Sequence, residues 1–249
     1  MSGAVLLVDV GNSRLKWARV AEDGHWSHGV PFSTRSADFD RHWAEVPRPD
    51  AVWVSNVAGP DAADRLQHWV ERQWGRPVQF GRSQVRCGAV VNGYARPEQL
   101  GVDRWFGLLG LYRPDGRPAC LVDCGTAITV DVLDADGRHQ GGLIAPGLET
   151  MAAALRQRAP GLASATPTPP VPPTLGRDTA SGVGSGCLLA AAGLIEKVFQ
   201  DTAAGQGALP RLVLTGGDAA AIGACLSQPH ALDESIVLRG LLIGAGLTS

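Results

Sequence analysis

The chain has 249 residues, of which 45% are hydrophobic and 18% are charged, and its formal net charge is −2. These values are typical of a globular protein of one large or two small domains, and the near-neutral charge disfavours nucleic acid as the main partner. The sequence has no uninterrupted apolar run of the roughly 20 residues that a membrane helix needs, and Met1-Ser2-Gly3 carries no basic leader region. We therefore expect a cytoplasmic protein without a membrane partner.

The first predicted element is a buried strand that ends in a tight polar turn. The apolar residues 5–8 lead into Asp9-Val10-Gly11-Asn12-Ser13, called here the Asp9 turn, and a second strand continues to the hairpin signal Asp23-Gly24. A carboxylate at such a turn can hold Mg²⁺, while glycine lets backbone N–H groups approach phosphate oxygens. Lys16 lies on the second strand, where its ammonium either reaches a bound phosphate or is simply solvated.

The next segment has the pattern of an α/β fold. A short helix is predicted over residues 36–46, a buried strand over 51–54 and a helix over 60–74. A strand followed by a polar turn and a helix is the repeating unit of α/β proteins.

A helix is predicted to begin at Pro97, because proline favours the first helical turn and Glu98 follows it. Its buried stripe consists of four residues: Trp105, Leu108, Leu109 and Tyr112. Asp103 lies off this stripe, and the edge below it carries Gly107 and Gly110. Such an edge allows close approach either of another helix or of a substrate facing Asp103. Arg104 is then either an exposed neighbour of the acid or a binder of an anionic group.

The strand–turn–strand pattern occurs a second time after residues 113–118, which are rich in turn residues. We take this segment as the domain junction and predict domains over residues 1–115 and 116–249. A new strand leads into Asp123-Cys124-Gly125-Thr126-Ala127, called here the Asp123 turn, and later reaches Asp136-Gly137. One such turn alone is explained by turn chemistry. Two of them favour a pair that binds a polyphosphate from both sides.

The rest of the second half alternates glycine-rich strand ends with helices. A strand ending at residues 141–147 leads into a helix over 148–158, which is a natural anion site. A proline-rich surface loop is predicted over 160–173, and a helix over 178–199 begins with small residues that suit close packing or a subunit contact. A last buried strand ends at Gly216-Gly217, which either admits a planar base or forms a tight turn.

These motifs, in this order, resemble those of the type III pantothenate kinases of bacteria. Neither a P-loop nor a GxGxxG pattern is present. The matching stretches are Asp9-Val10-Gly11-Asn12-Ser13 with Lys16-Trp17, residues 100–104, residues 123–131, residues 141–147, Gly176 with Thr179, and Thr215-Gly216-Gly217-Asp218.

The resemblance implies a fold and an activity. The fold is α/β, with duplicated ribonuclease H-like (actin-like ATPase) domains, each a mixed sheet with flanking helices, and with the nucleotide in the cleft between them. The activity is the ATP-dependent phosphorylation of pantothenate to 4'-phosphopantothenate, the first step of coenzyme A biosynthesis, by a homodimer.

The resemblance also implies roles for individual residues. Asp103 would be the general base on the primary hydroxyl of pantothenate. The residues implied for ATP and its phosphates are Asp9, Gly11, Asn12, Ser13, Lys16, Gly125, Thr126, Gly216 and Gly217. The residues implied for pantothenate are Tyr94, Gly101, Val102, Asp103, Arg104 and Thr179, the last from a neighbouring subunit. Asp9 would hold Mg²⁺, and Asp123 would serve a monovalent cation, K⁺ or NH₄⁺.

Two other functions remain open at this point. A kinase of the same fold could act on a sugar or another small alcohol, although the sequence Gly101-Val102-Asp103-Arg104 disfavours this. A nucleotide-binding regulatory protein of the same fold is the other alternative. Such a protein has no need of Asp9, Asp103 and Asp123 together, which favours the enzyme.

Overall fold

The computed structural model describes residues 3–36, 38–162 and 173–247. The predicted proline-rich loop therefore lies for the most part outside the described residues. The chain divides into two compact units, Met1–Leu111 with Ser235–Ser249, and Tyr112–Glu234. The sequence division at residues 115 and 116 assigns the C-terminal segment to the second half, whereas its contacts group it with the first unit.

The strands, in chain order, have the following bounds. In the first unit they are β1 Val5–Val10, β2 Arg14–Val20, β3 Trp26–His28, β4 Phe32–Ser33, β5 Ala51–Asn56, β6 Val78–Phe80, β7 Arg86–Cys87 and β8 Val90–Val91. In the second unit they are β9 Ala119–Cys124, β10 Ala127–Leu133, β11 His139–Pro146, β12 Arg211–Thr215 and β13 Ala231–Leu232.

The helices complete the two units. They are α1 Phe39–Trp43, α2 Pro60–Trp74, α3 Val102–Leu111, α4 Leu148–Arg158, α5 Thr179–Gln206, α6 Ala219–Gly223 and α7 Ile236–Gly244. Short 3₁₀ turns cover Pro97–Gln99 and Pro160–Leu162.

Both units contain a mixed sheet with the same central arrangement. The first sheet has the order β3-β2-β1-β5-β6, with β4 beside β2, and the second has the order β11-β10-β9-β12-β13. In each, the strand that precedes the turn pairs antiparallel with the next strand and parallel with a later one. The predicted α/β class, with mixed sheets and flanking helices in a duplicated arrangement, is confirmed.

The two faces of the first sheet are covered by different helices. Leu6, Val8 and Val10 on one face of β1 belong to a core that includes residues of α1 and α2. Because side chains alternate along a strand, Asp9 lies on the opposite face. On that face Leu7 is fully buried, and α7 contacts β1 and β5 while α3 contacts β5. The face that carries Asp9 is therefore the face covered by α3 and α7.

The core of the second unit lies between its sheet and α5. Val122 and Val130 of the sheet pack with Leu188 and Ile195 of α5. This helix has 28 residues and is long and apolar enough to cross a membrane by length and composition alone. A core helix meets the same criterion, and the buried side chains of α5 identify it as one.

The helix that carries Asp103 begins later than the sequence suggests. Residues 97–99 form a separate 3₁₀ turn, and Leu100 has extended dihedrals (φ −70°, ψ 127°), so the α-helix starts only at Val102. It ends at Leu111, which leaves Tyr112 outside the helix. Asp103 thereby lies in the first helical turn.

The glycine edge of α3 is occupied by another helix. A Cβ atom on Gly110 would lie 2.1 Å from the carbonyl oxygen of Ile236 in α7, and one on Gly240 would lie 1.6 Å from the carbonyl oxygen of Phe106 in α3. These distances are far below any real contact of a Cβ atom, so the two helices pack backbone to backbone. Of the two interpretations of this edge, helix packing is correct at Gly110.

We expect Gly240→Ala to destabilise the protein by at least about 1–3 kcal/mol, the usual cost of overpacking a core. For a chain of this length that corresponds to a fall of several degrees in the melting temperature, at about 2–4 °C per kcal/mol. Gly205→Ala is the matched control, because Gly205 lies in α5 with open space around it. It should be neutral or stabilising by up to about 1 kcal/mol. Thermal unfolding of both variants by circular dichroism checks this, and an unchanged melting temperature of Gly240→Ala would contradict it.

Candidate active site

The Asp9 turn is a tight polar loop between β1 and β2. The N–H of Gly11 donates to the carbonyl oxygen of Arg14 at 3.0 Å, and the hydroxyl of Thr34 donates to the carbonyl oxygen of Gly11 at 2.7 Å. Asn12 and Ser13 are exposed at the tip of the turn. The loop is thus fixed from two sides, with its polar tip open to a ligand.

Lys16 lies directly opposite Asp9 in the antiparallel pairing of β1 with β2. Residues paired in this way place their side chains on the same face, with Cβ atoms about 4.5–5.5 Å apart. Both side chains are partly exposed. A carboxylate and an ammonium side by side at the end of a strand support the first interpretation of Lys16, contact with a bound phosphate.

The Asp123 turn is built in the same way and is joined by the start of a helix. The N–H of Gly125 donates to the carbonyl oxygen of Ala127 at 3.1 Å. The carbonyl oxygen of Thr126 accepts from the N–H of Gly147 at 3.0 Å and from the hydroxyl of Thr150 at 2.7 Å. The N-terminus of α4, which carries a partial positive charge, therefore lies against this turn. The two segments that the sequence suggested as separate anion sites therefore lie side by side.

The glycine after β12 is required by a close approach to Asp123. Gly216 has φ +96°, and a Cβ atom there would lie 2.6 Å from Oδ1 of Asp123 and 2.5 Å from the carbonyl oxygen of Cys124. The N–H of Asp218 donates to that same carbonyl oxygen at 3.0 Å. Burial, together with the negative charges of Asp123 and Asp218, raises the pKa of the Cys124 thiol to about 12. Two carboxylates near one buried thiol form a local negative field that suits a cation.

Asp103 is held at the start of α3 by its own helix. Its Oδ1 accepts from the N–H of Arg104 at 2.7 Å, and the N–H of Trp105 donates to the carbonyl oxygen of Gly101 at 2.9 Å. A Cβ atom on Gly101 would lie 2.7 Å from Oδ1 of Asp103, so a side chain there would displace the carboxylate. The first turn of a helix also favours a negative charge.

Arg104 is not an exposed neighbour of the acid, since it is only 7% exposed. Its Nη1 donates to the hydroxyl of Tyr94 at 2.9 Å, and its guanidinium carbon lies 5.6 Å from the centroid of the Tyr94 ring. A guanidinium carries five N–H donors in a fixed plane, a geometry that suits recognition of a carboxylate or an amide. The structure thus brings Gly101, Asp103, Arg104 and Tyr94 together in the first unit.

Asn92 positions the Tyr94 loop and was missed as a site residue. Its Oδ1 accepts from the N–H of Tyr94 at 3.0 Å, and its amide donates to the carbonyl oxygens of Gln84 at 3.1 Å and Pro97 at 3.2 Å. The available signal was the Asn92-Gly93 dipeptide, which marks a turn. Its contacts with residues 84 and 97 could not be inferred from sequence.

A profile of the family described as Type III pantothenate kinase matches residues 5–201. The chain belongs to this family. A Type III pantothenate kinase of Burkholderia multivorans is 41% identical, with 100% of this chain and 99% of the relative covered. One of Nitrosococcus oceani is 37% identical, with 95% of this chain and 92% of the relative covered. A crystal structure described as a Baf family transcriptional activator of Campylobacter jejuni superposes with a TM-score of 0.58, 18% identity and 97% coverage of both chains. At that identity the likeness concerns the fold alone.

Asp178 and Asn56 have local structural roles, at the start of α5 and in the loop after β5. Thr179 is the first residue of α5 and is exposed, and Asp178 caps the helix by accepting from the N–H of Ser181 at 2.9 Å. The hydrogen bonds from Ser181 lower the pKa of Asp178. Asn56, by contrast, stabilises its own loop: its amide donates to the carbonyl oxygen of Gly59 at 2.9 Å. This is a structural role for Asn56.

Replacing Tyr94 by phenylalanine should weaken binding of the acceptor substrate with little effect on kcat. The change removes the hydroxyl that accepts from Arg104 and leaves a buried charged donor without that partner. Loss of a hydrogen bond to a charged group costs about 1.5–3 kcal/mol, or roughly one to two orders of magnitude in KM. Steady-state kinetics with pantothenate as the varied substrate measure this. Tyr112→Phe is the control, since that tyrosine lies outside α3, and an equal change in both variants would contradict the assignment.

Proposed function

We propose that this protein transfers the γ-phosphoryl group of ATP to the primary hydroxyl of pantothenate, giving 4'-phosphopantothenate and ADP. The observation that carries the proposal is the arrangement of the first unit. Asp103 and the Arg104–Tyr94 pair lie at the start of α3, and α3 covers the sheet face that carries Asp9 and Lys16. Family membership gives the acceptor, and these residues give the chemistry.

The acceptor groups divide into a base and a binding surface. Asp103 takes the hydroxyl proton as the oxygen attacks the γ-phosphorus and the bond to the β-phosphate oxygen breaks. The transition state of phosphoryl transfer is loose, so the proton leaves late and an ordinary carboxylate is an adequate base. Arg104 and Tyr94 hold the carboxylate or amide of pantothenate, and Gly101 and Val102 line the approach. Thr179 of a neighbouring subunit completes the pocket.

The nucleotide groups are the two turns and the strand end beside them. In the first unit, Gly11, Asn12, Ser13 and Lys16 are the groups that contact phosphate. In the second unit, Gly125 and Thr126 have the same chemistry. Gly216 and Gly217 lie beside the adenosine. Within each unit these groups are the open turn tips and helix start described above, which is the chemistry that binds phosphate.

The residues present fit the cations that the family implies. Mg²⁺ is usually bound by one or two carboxylates together with substrate phosphates rather than by a protein cage. Asp9, at the end of β1, is such a carboxylate, and no cluster of three or more His, Cys, Asp or Glu side chains suited to a metal occurs among the described residues. Mg²⁺, when bound, neutralises charge on the phosphates. Asp123 would hold K⁺ or NH₄⁺. Its carboxylate lies close to Gly216, and its charge acts on the Cys124 thiol together with that of Asp218.

The direct test is ADP release by the purified protein with ATP, Mg²⁺ and K⁺, comparing pantothenate with a panel of hexoses and with no acceptor. The proposal expects ADP only with pantothenate, and a product heavier by one phosphate group. ADP release with a hexose instead would favour a kinase for another alcohol. Nucleotide binding without any acceptor-dependent release would favour a nucleotide-binding regulatory protein and overturn the proposal.

A homodimer is supported by exposed apolar side chains and by a stripe of glycines in the second unit. Ile144 of β11 is 66% exposed and Leu189 of α5 is 49% exposed. Gly182, Gly186 and Gly193 recur along α5 with open space where a side chain would lie. A stripe of this kind allows two helices to approach closely, and we place the subunit contact of a cytoplasmic dimer here.

Leu189→Glu should convert the dimer to a monomer, because it buries an unpaired charge in an apolar contact. Light scattering after size-exclusion chromatography measures the mass. Leu209→Glu, which alters an exposed leucine outside α5, should remain dimeric. A monomeric wild-type protein would contradict the dimer itself.

A further inference from the structure

Two buried hydroxyls occupy equivalent positions beside the two turn aspartates. In the parallel pairing of β1 with β5, Ser55 is the partner of Asp9. In the parallel pairing of β9 with β12, Thr215 is the partner of Asp123. Neither hydroxyl has been given a role above, and each unit has one.

The position of each hydroxyl relative to its aspartate follows from the register. Residues paired across a parallel ladder project their side chains from the same face of the sheet, on strands about 4.8 Å apart. Asp9 thus has Lys16 on one side and Ser55 on the other. Asp123 has Thr129 on one side and Thr215 on the other. Gly216, which follows Thr215, already lies against the Asp123 carboxylate.

Both hydroxyls are buried, and neither has a hydrogen-bond partner in the part of the chain that the structure describes. Ser55 is 0% exposed and Thr215 is 1% exposed. Among the residues that the structure describes, neither Oγ of Ser55 nor Oγ1 of Thr215 has a hydrogen-bond partner. Burying a hydroxyl without a partner costs free energy, and most buried polar groups in native proteins are satisfied. A buried hydroxyl without a partner lies beside the turn aspartate in both units. This repetition indicates that the hydroxyls acquire their partners when a ligand binds.

We propose that Ser55 and Thr215 are positioning residues, which hold the carboxylates of Asp9 and Asp123 in the orientation that their cations require. In the ligand-bound protein each hydroxyl donates to one carboxylate oxygen, directly or through one water, and leaves the other oxygen for the cation. Hydrogen-bonding groups next to a metal-ligating side chain fix the orientation of that side chain. The inference rests on the proposed function in assigning Mg²⁺ to Asp9 and a monovalent cation to Asp123.

The competing explanation is that both hydroxyls only fill space. It makes the opposite prediction for an apolar isostere. If Thr215 fills space, Thr215→Val keeps the shape and changes nothing else, whereas Thr215→Ser leaves a small cavity and destabilises the protein. If Thr215 positions Asp123, Thr215→Val is at least as stable as the wild type without ligand but responds poorly to the cation. Thr215→Ser then keeps the response.

The test measures the rise in melting temperature that MgADP produces, so it requires neither pantothenate nor turnover. We expect Thr215→Val to raise the K⁺ concentration needed for half of this rise by about 10–100-fold, the usual effect of losing such a group. We expect Ser55→Ala to raise the Mg²⁺ requirement by a similar factor. Thr215→Ser should stay close to the wild type in its cation response. Ser185→Ala is the control, because Ser185 is also buried without a partner in the described structure but lies in α5.

The outcomes separate this inference from the proposed function. Wild-type ligand responses in Thr215→Val and Ser55→Ala would overturn the inference and leave the proposed function intact. An equal loss of response in Ser185→Ala would also overturn it, since any buried hydroxyl would then have the same effect. A wild-type protein whose melting temperature MgADP does not raise would overturn the proposed function, and the inference with it. MgADP stabilisation without pantothenate phosphorylation would overturn only the choice of acceptor.

Discussion

Asp103→Asn should lower kcat for pantothenate phosphorylation by about two to four orders of magnitude, the usual contribution of general acid–base catalysis. Asparagine cannot take the hydroxyl proton. Its side-chain oxygen can still accept from the N–H of Arg104, the bond that Asp103 makes at 2.7 Å. The start of α3 should therefore stay folded, and the affinity for nucleotide should change little. Steady-state kinetics give kcat, and titration of the melting temperature with MgADP gives the affinity.

A matched control separates catalysis from helix stability. Asp61 lies in the first turn of α2, as Asp103 lies in the first turn of α3. Asp61→Asn should remove a similar favourable interaction with the helix dipole, worth about 0.3–1 kcal/mol, without any loss of kcat. Near-normal turnover of Asp103→Asn would exclude this residue as the base. A parallel loss in Asp61→Asn would assign the effect to stability instead.

Local sequence signals predicted several elements to the residue. The helix Pro60–Trp74 begins with proline at its first position and ends before Gly75, which adopts the left-handed conformation (φ +58°). The helix Leu148–Arg158 also has its predicted bounds, following the glycine-rich end of β11. Both turns were likewise recognisable, because an aspartate, a glycine and flanking apolar strands suffice to specify them.

Features that depend on tertiary contacts were not predictable in the same way. The helix α7 received no prediction, and it packs against α3 rather than with the elements that precede it in the chain. Arg104 is buried and donates a hydrogen bond to Tyr94, ten residues away in the sequence. The pairing of Asp9 with Ser55 requires the strand order β2-β1-β5, which no local pattern specifies. The residue types of the candidate site were thus recognisable from the sequence, but the contacts that orient them were not.

Asp9→Asn should raise the Mg²⁺ concentration required for activity and for MgADP binding by at least about tenfold. At an effective dielectric constant of about 20, two unit charges 4 Å apart attract by about 4 kcal/mol, and Mg²⁺ carries two charges. Solvent screening reduces this value because Asp9 is partly exposed. Even a third of the attraction between two unit charges, about 1.4 kcal/mol, corresponds to a factor of ten in affinity. Mg²⁺ titrations of both readouts measure the change.

Substitutions in the Asp9 turn and in the Asp123 turn should affect different cations, and this difference is the stronger test of the roles assigned to the two aspartates. Asp9→Asn should alter the Mg²⁺ titration and leave the K⁺ titration unchanged, whereas Asp123→Asn should do the reverse. Asp23→Asn, in the hairpin turn after β2, is the control and should alter neither. An unaltered Mg²⁺ titration of Asp9→Asn would contradict the metal assignment. Identical responses of Asp9→Asn and Asp123→Asn would mean that the two turns have equivalent roles, and that Mg²⁺ and the monovalent cation are not assigned to different aspartates.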